Sequence, residues 1–363
     1  MKEVIRKMNL SIITCALVLV LSVTTTFAWA GLQNYSAVEK IDLALDSSGE
    51  YELKISLDGI NFYKEIEEIE LKKAILRNMG LLSLDIEIDN HKIEEAFGDL
   101  ELNPVTTKRI GNELGRFVSI DEIRKKDFQY DGSKESNYVK KSYFNFDIYV
   151  AIDYVGDDSD ENFDTEIQDV YINDITNLFN GNNKTYKLKS NYVLENYFND
   201  LLLDTVRVNT TSAARMSFTK YEVMDRGVPI ETDVVNTILV QGGTQTPTVE
   251  EGIYSFGGFM NHSDNLAYQE FNDIHFDQPI SLDVFNEFYE NRISDTGYED
   301  AISYDQLETT KIQLIDSNDT LNTKTMVKIN VKMWLEGFDA DCFEAISSLP
   351  LGFNLVLVNY NLH

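Results

Sequence analysis

The chain has 363 residues, of which 43% are apolar and 25% are charged, a globular composition that can bury a sizeable core. It contains 61 acidic and 31 basic residues, for a net charge of −30. A field of this sign repels nucleic acid and anionic membrane surfaces, so no nucleic-acid partner is expected.

The first 28 residues have the pattern of a secretory signal peptide. A start with three basic residues precedes an apolar run, residues 10–23, which spans about 21 Å as a helix. A bilayer core requires about 20 residues, so cleavage after Ala28, behind small residues, is favoured over a retained anchor. Residues 1–28 are therefore predicted to be a signal peptide. If the leader stayed uncleaved, it would be the only predicted membrane attachment.

Removal of the leader changes both the charge and the cysteine count. It takes away three bases and one acid, so the mature chain, residues 29–363, would carry −32. Of the two cysteines, Cys15 lies in the leader. The mature chain would keep Cys342 alone, which excludes an internal disulfide and predicts a small buried side chain.

Alternation of apolar and polar residues dominates the first part of the mature chain and predicts β-strands. Residues 41–45 and 53–57, separated by a Ser-Ser-Gly turn, predict a β-hairpin. Residues 64–77 contain strong helix formers and predict a surface helix. Alternation returns over residues 84–88, and Ser119 with Glu122 predicts a capping box that opens a short helix.

The second half of the chain repeats this pattern with longer strands. Strands are predicted over residues 143–152, 205–221 (one bent or two short strands), 312–314, 327–335 and 353–358, and helices near residues 265–275 and 282–292. Many strands with polar turns and few long helices favour a two-sheet antiparallel β-sandwich. We predict a single ectodomain over residues 29–363, with helical insertions near residues 64–135 and 260–300.

Recognisable catalytic motifs are absent from the sequence. The four histidines, at positions 91, 262, 275 and 363, lack metal-ligand spacing, and no zinc-protease helix, nucleophile elbow or P-loop occurs. A glycosidase could hide two carboxylates among 61 acids, but the sequence singles out no pair. We therefore predict a non-enzymatic protein, with no catalytic or cofactor-binding residues.

One acidic stretch is compatible with a bound metal ion. Residues 157–161 carry four carboxylates in five positions, which suits the oxygen ligands that Ca²⁺ prefers but lacks the EF-hand glycine. The alternative is a solvated turn after a strand.

Two phrases resemble a known family. Residues 55–61 (ISLDGIN) and the block 328–346, which contains WLEGFDADC, resemble Firmicute exported proteins processed by a dedicated signal peptidase, as does the leader that ends TTTFAWA. Better-known members of that group are biofilm matrix fibre proteins and camelysin-type surface proteins. The resemblance covers the leader, residues 51–63 and about 310–358. We interpret residues 334–342 as a structural signature, with a turn at Gly337 and a short helix after it.

The resemblance implies a jelly-roll-like sandwich at the cell surface that could assemble into fibres. Camelysin relatives are described as proteases, which the missing zinc motif does not support here. The expected function is a secreted or cell-surface matrix protein that associates with itself or with other surface components. The alternative is an adhesin or ligand-binding module. The uncharged residues 29–36 are a candidate strand for addition to the sheet of a neighbouring subunit.

Overall fold

The computed structural model describes residues that all belong to one compact unit, Ser36–His363. The described residues are 36–37, 41–46, 51–82, 89–125, 128–130, 135–154, 169–172, 178–187, 205–243, 247–259, 280–292, 312–316, 319, 321–342, 346 and 350–360.

Strands form most of the regular structure in these ranges. In chain order they are β1 (Ser36–Ala37), β2 (Ile41–Asp46), β3 (Tyr51–Ser56), β4 (Glu101–Leu102), β5 (Val105–Thr106), β6 (Arg109–Ile110), β7 (Glu113–Leu114), β8 (Val118–Ser119), β9 (Tyr143–Tyr154), β10 (Asp169–Ile172), β11 (Phe179–Gly181), β12 (Asn183–Lys187), β13 (Thr205–Asn209), β14 (Ala214–Tyr221), β15 (Met224–Asp225), β16 (Val234–Gln241), β17 (Thr248–Glu250), β18 (Ile253–Ser255), β19 (Ile312–Ile315), β20 (Thr325–Leu335) and β21 (Leu351–Tyr360).

The described helices are fewer and short. They are α1 (Glu68–Asn78), α2 (Asn90–Gly98), α3 (Ile120–Ile123), α4 (Asn137–Lys140), α5 (Leu282–Arg292) and a 3₁₀ turn at Thr210–Ala213. In the described part of the chain, none is long and apolar enough to span a bilayer.

An antiparallel sheet in the order β16-β14-β20-β9-β3 forms the centre of the molecule, and β15 pairs with β20 beyond the end of β14. The predicted apolar face of β20 is confirmed, because every second residue from Val327 to Leu335 is fully buried. Phe144, Phe146 and Ile148 of β9 point to the same side, since β9 pairs directly with β20.

A second sheet packs on this apolar face. Its long strand β21 pairs with β2 on one side and with β10 and β11 on the other, and β19 pairs with β10. Phe353 of β21 stacks on Phe146 of β9, with ring centroids 5.6 Å apart. Residues of both sheets share one core, so the predicted mainly β sandwich is confirmed.

The predicted hairpin over residues 41–57 is wrong. β2 pairs in parallel with β21, whereas β3 pairs with β9, so the two strands belong to different sheets. The alternation of Leu43 and of Leu53 with polar residues shows that each strand buries one face. This alternation does not show which strand each one pairs with. A turn signal between two strands is compatible with a connection between two sheets as well as with a hairpin.

Helices close one side of the sandwich core. Leu71, Ile75 and Leu76 of α1 and Phe97 of α2 are buried in the same core as the two sheets. The predicted helix over residues 64–77 is therefore confirmed, with its start at Glu68. The capping box is confirmed in part, since the Ser119 hydroxyl accepts a hydrogen bond from the Glu122 amide at 3.2 Å.

A separate small core lies near the end of β20. Phe288 of α5 packs there with Phe259, Phe338 and Ile120. The predicted helix at 282–292 is confirmed. The strand predicted at 84–88, the helix predicted at 265–275 and the whole signal peptide lie outside the described residues.

Candidate functional site

The loop formed by residues 336–342, directly after β20, connects three parts of the fold. Its backbone amides donate to the carbonyls of Ala213, Val105 and Gly258, at 2.8, 2.8 and 2.9 Å. These carbonyls lie next to β14, on β5 and after β18. This loop lies within the block 328–346 that was singled out in the sequence.

Three carboxylates of the loop are buried beside one guanidinium. Glu336, Asp339 and Asp341 are at most 3% exposed, and Arg215 of β14 is 1% exposed. Arg215 forms an ion pair with Asp339 and donates to the Ala214 carbonyl at 2.9 Å. We call these four residues the acid cluster.

The other two carboxylates of the acid cluster are held by neutral donors. Glu336 accepts from the indole of Trp334 at 3.0 Å and from the Phe338 amide at 3.1 Å. Asp341 accepts from the Ser255 hydroxyl at 2.6 Å and from the Phe256 amide at 2.7 Å. All three carboxylates therefore have partners, although only one partner carries a positive charge.

This charge balance changes the protonation of the acid cluster. Burial raises the pKa of Asp339, and the adjacent Arg215 opposes that effect. Burial, followed by the charge of Asp339, raises the pKa of Asp341 well above its usual range. Because the one guanidinium pairs with Asp339, Asp341 is the aspartate of the loop without a cationic partner, which favours its protonated form.

The surroundings of the acid cluster favour a structural role. A cavity of about 30 Å³ adjoins Arg215, Glu336 and Trp334, which is room for about one water molecule. Within the described ranges, no group of three His, Cys, Asp or Glu side chains is placed to hold a metal ion. The acid cluster can hold a proton, and it connects β14 and β18 to the 336–342 loop. The adjoining cavity is too small for a substrate.

A larger cleft lies between α1 and the loop after β3. Its volume is about 550 Å³, and Asp58, Glu67, Glu70, Arg77 and Asp147 are among the side chains that line it. The cleft is open to a ligand of moderate size, and carboxylates predominate among its charged groups.

The loop at one rim of this cleft is built around Asp58, in the ISLDGIN phrase. One carboxylate oxygen accepts from the amides of Ile60 and Asn61, both at 2.8 Å, and from the Ser56 hydroxyl at 2.7 Å. Burial alone would raise the pKa of Asp58, but these hydrogen bonds lower it to about 2. The carboxylate is therefore ionised at neutral pH, and its hydrogen bonds fix the conformation of the loop.

The structure covers only some of the residues singled out in the sequence. His91 is exposed at the start of α2, while residues 157–161 and the other three histidines lie outside the described residues. Cys342 is a buried free thiol, so its predicted burial is confirmed. The predicted turn at Gly337 is confirmed too, but the short helix expected after it is not found in residues 338–342, which form turns and an isolated bridge at Asp339.

Arg215 is not among the residues singled out from the sequence. This residue alternates with the buried Met216 and Phe218, so the pattern places it on the outer face of a sheet, where charged residues are normally solvated. Its burial depends on the 336–342 loop, more than 100 residues away in sequence. No local signal marks such a partner.

Comparison with known proteins adds no family to this geometry. No protein-family model matches the chain, and neither a curated protein nor a solved structure does.

Proposed function

We propose that the protein is an exported cell-surface or matrix protein that associates with copies of itself and has a structural, non-enzymatic role. The leader pattern and the resemblance of the WLEGFDADC phrase to matrix and surface proteins support export and surface display. N-terminal sequencing of the exported form tests export directly. Trp29 is the expected first residue, and an intact Met1 form in membranes would contradict cleavage.

The edge strands of the sheets are the observation that supports self-association. Among the described strands, β2, β16 and β19 each pair with one described neighbour, β21, β14 and β10 respectively, and so lie at the edges of the described sheets. Edge strands must be protected or used, and an extended segment from a second chain can pair with one. Of the uncharged candidate segment 29–36, residues 29–35 precede β1 and are the proposed added strand, since Ser36 pairs with β4.

Charge sets the conditions for association. A mature charge of −32 makes copies repel each other, and the repulsion between exposed charges is screened within about 10 Å at 0.1 M salt. Association should therefore increase with ionic strength or with divalent cations.

The test compares three forms of the mature protein by light scattering and electron microscopy, with and without Ca²⁺. One form begins at Trp29, one at Ser36 and one at Glu39. The Ser36 form is the matched control, because it keeps β1, which pairs with β4. We expect assembly only from Trp29. Equal assembly of all forms would contradict strand addition, and three monomeric forms at high concentration would contradict self-association.

The cleft beside α1 favours a second function, that of an adhesin or ligand-binding module. Its size and its carboxylates suit a ligand that offers cationic groups or many hydroxyls. Binding of the mature protein to cell-wall polysaccharide and to basic peptides would be compared with that of a Glu67→Gln, Glu70→Gln variant. Weaker binding by this variant would support the function, and unchanged binding would contradict it.

A further inference from the structure

The outer face of the central sheet places a lysine opposite an asparagine. Lys332 of β20 lies directly opposite Asn145 of β9, and on its other side opposite Ser217 of β14. Opposite residues in an antiparallel pair have Cβ atoms about 4.5–5.5 Å apart. The lysine side chain is long enough to bring its amine to the neighbouring amide carbon.

The amine of Lys332 lacks a partner in the described structure. It makes no hydrogen bond or ion pair with any described residue, and the buried Ser217 hydroxyl beside it is also unpartnered there. Burial lowers the pKa of Lys332, and the charges of Glu135, Glu113 and Asp147 oppose this only in part. A neutral amine is the nucleophilic form of lysine, so this environment favours reactivity.

The amide of Asn145 is held in a fixed orientation. Its carbonyl oxygen accepts a hydrogen bond from the Asn330 side chain at 2.7 Å, and Asn330 also donates to Asp147 at 2.8 Å. A donor on the carbonyl oxygen stabilises the negative charge that develops there when a nucleophile attacks the carbon. The Asn145 amide nitrogen makes no hydrogen bond with the described residues.

We propose that Lys332 and Asn145 form an intramolecular isopeptide bond that joins β20 to β9. The lysine nitrogen Nζ attacks the Asn145 carbon Cγ, a new C–N bond forms, and the bond from Cγ to Nδ2 breaks. The carboxylate of Glu135 or Asp147 carries a proton from Nζ to the departing nitrogen, which leaves as ammonia. The reaction requires no oxidant or other reactant.

Such a bond would join the two middle strands of a sheet in a protein whose mature chain has a single cysteine. A covalent link between distant residues stabilises a fold mainly by restricting its unfolded state. The proposal is independent of self-association, since the bond lies within one chain.

Intact-mass spectrometry of the purified, denatured mature protein tests the proposal. The expected mass is that of the sequence less one ammonia, and fragmentation should yield a branched peptide that contains both residue 145 and residue 332. The full sequence mass after prolonged incubation of the folded protein would overturn the proposal.

Two variants distinguish isopeptide formation from other reactions that release ammonia. A Lys332→Arg variant keeps the positive charge and should retain the full mass, whereas a succinimide at Asn145 would still form in it and would overturn the proposal. A Lys328→Arg variant, four residues away on the same face and ion-paired to Asp147, is the matched control and should lose ammonia as the wild type does. The branched peptide in the wild type decides the matter even if the Lys332→Arg variant folds poorly.

Discussion

At the scale of single residues, the acid cluster shows how differently two aspartates of one loop can act. Asp339 faces the only guanidinium of the cluster, whereas Asp341 faces a hydroxyl and an amide. Removal of one partner from a buried ion pair leaves an uncompensated charge. A neutral side chain in place of a protonated carboxyl leaves no uncompensated charge.

The two aspartates should therefore respond unequally to the same substitution. Asp339→Asn leaves Arg215 unpaired and should lower the free energy of unfolding by about 3–5 kcal/mol. Asp341→Asn keeps polar atoms near Ser255 and Phe256 and should cost less than about 1.5 kcal/mol. Urea denaturation at neutral pH measures both, and equal losses would show that the proton is not on Asp341.

The raised pKa of Asp341 also predicts a pH dependence. Because the pKa is raised in the folded protein, its stabilising effect is complete below the unfolded value of 3.8 and is lost as pH rises through the folded value. The Asp341→Asn variant should therefore gain stability relative to the wild type as pH rises from about 4. Parallel denaturation curves at several pH values provide the measurement, and a constant difference between the two proteins would contradict it.

At the scale of elements, strand positions were largely predictable, but strand partners were not. Alternation located β9, β20 and β21, because a strand with one buried face must repeat every two residues. It could not assign β2 to the second sheet, since the parallel partner β21 begins about 300 residues later. The acid cluster was missed for the same reason, as Arg215 meets its partner only in the folded chain.

The two glycines between β16 and β17 have a role that depends on a segment distant in sequence. Glycine pairs are common at turns, but here Gly242 and Gly243 permit a close approach of two backbones. A Cβ on Gly242 would lie 2.2 Å from the Thr211 carbonyl oxygen, and one on Gly243 would lie 2.3 Å from that of Ser212. Both distances are well inside van der Waals contact.

Substitution of these glycines should therefore disturb the 3₁₀ turn Thr210–Ala213, directly before β14. Gly243→Ala should lower the free energy of unfolding by about 1–3 kcal/mol, because backbone must move to admit the methyl group. Gly98→Ala is the control, since nothing lies within 4 Å of its added Cβ and alanine is the better helix former by about 1 kcal/mol. Thermal melts of both variants test the pair, and a stable Gly243→Ala protein would show that the two backbones separate easily.

At the scale of the whole molecule, the fold depends on its hydrophobic core and buried polar links. Net charge of −30 opposes compaction through self-repulsion, and the core that spans both sheets and α1 offsets it. Cys342 belongs to that core and is 2% exposed. Burial raises the pKa of its thiol well above the usual range, so the reactive thiolate is disfavoured.

The thermal stability of the mature protein should consequently be the same with and without a reducing agent. Beyond the predicted leader the sequence contains no second cysteine, and the burial of Cys342 keeps it from pairing between chains while the protein is folded. Melting curves under both conditions measure this, and a thiol-specific reagent should label the protein only after denaturation. A Cys342→Ala variant is the control for labelling. A lower melting temperature in reductant, together with rapid labelling of the native protein, would instead indicate an exposed thiol that forms a bridge between two chains.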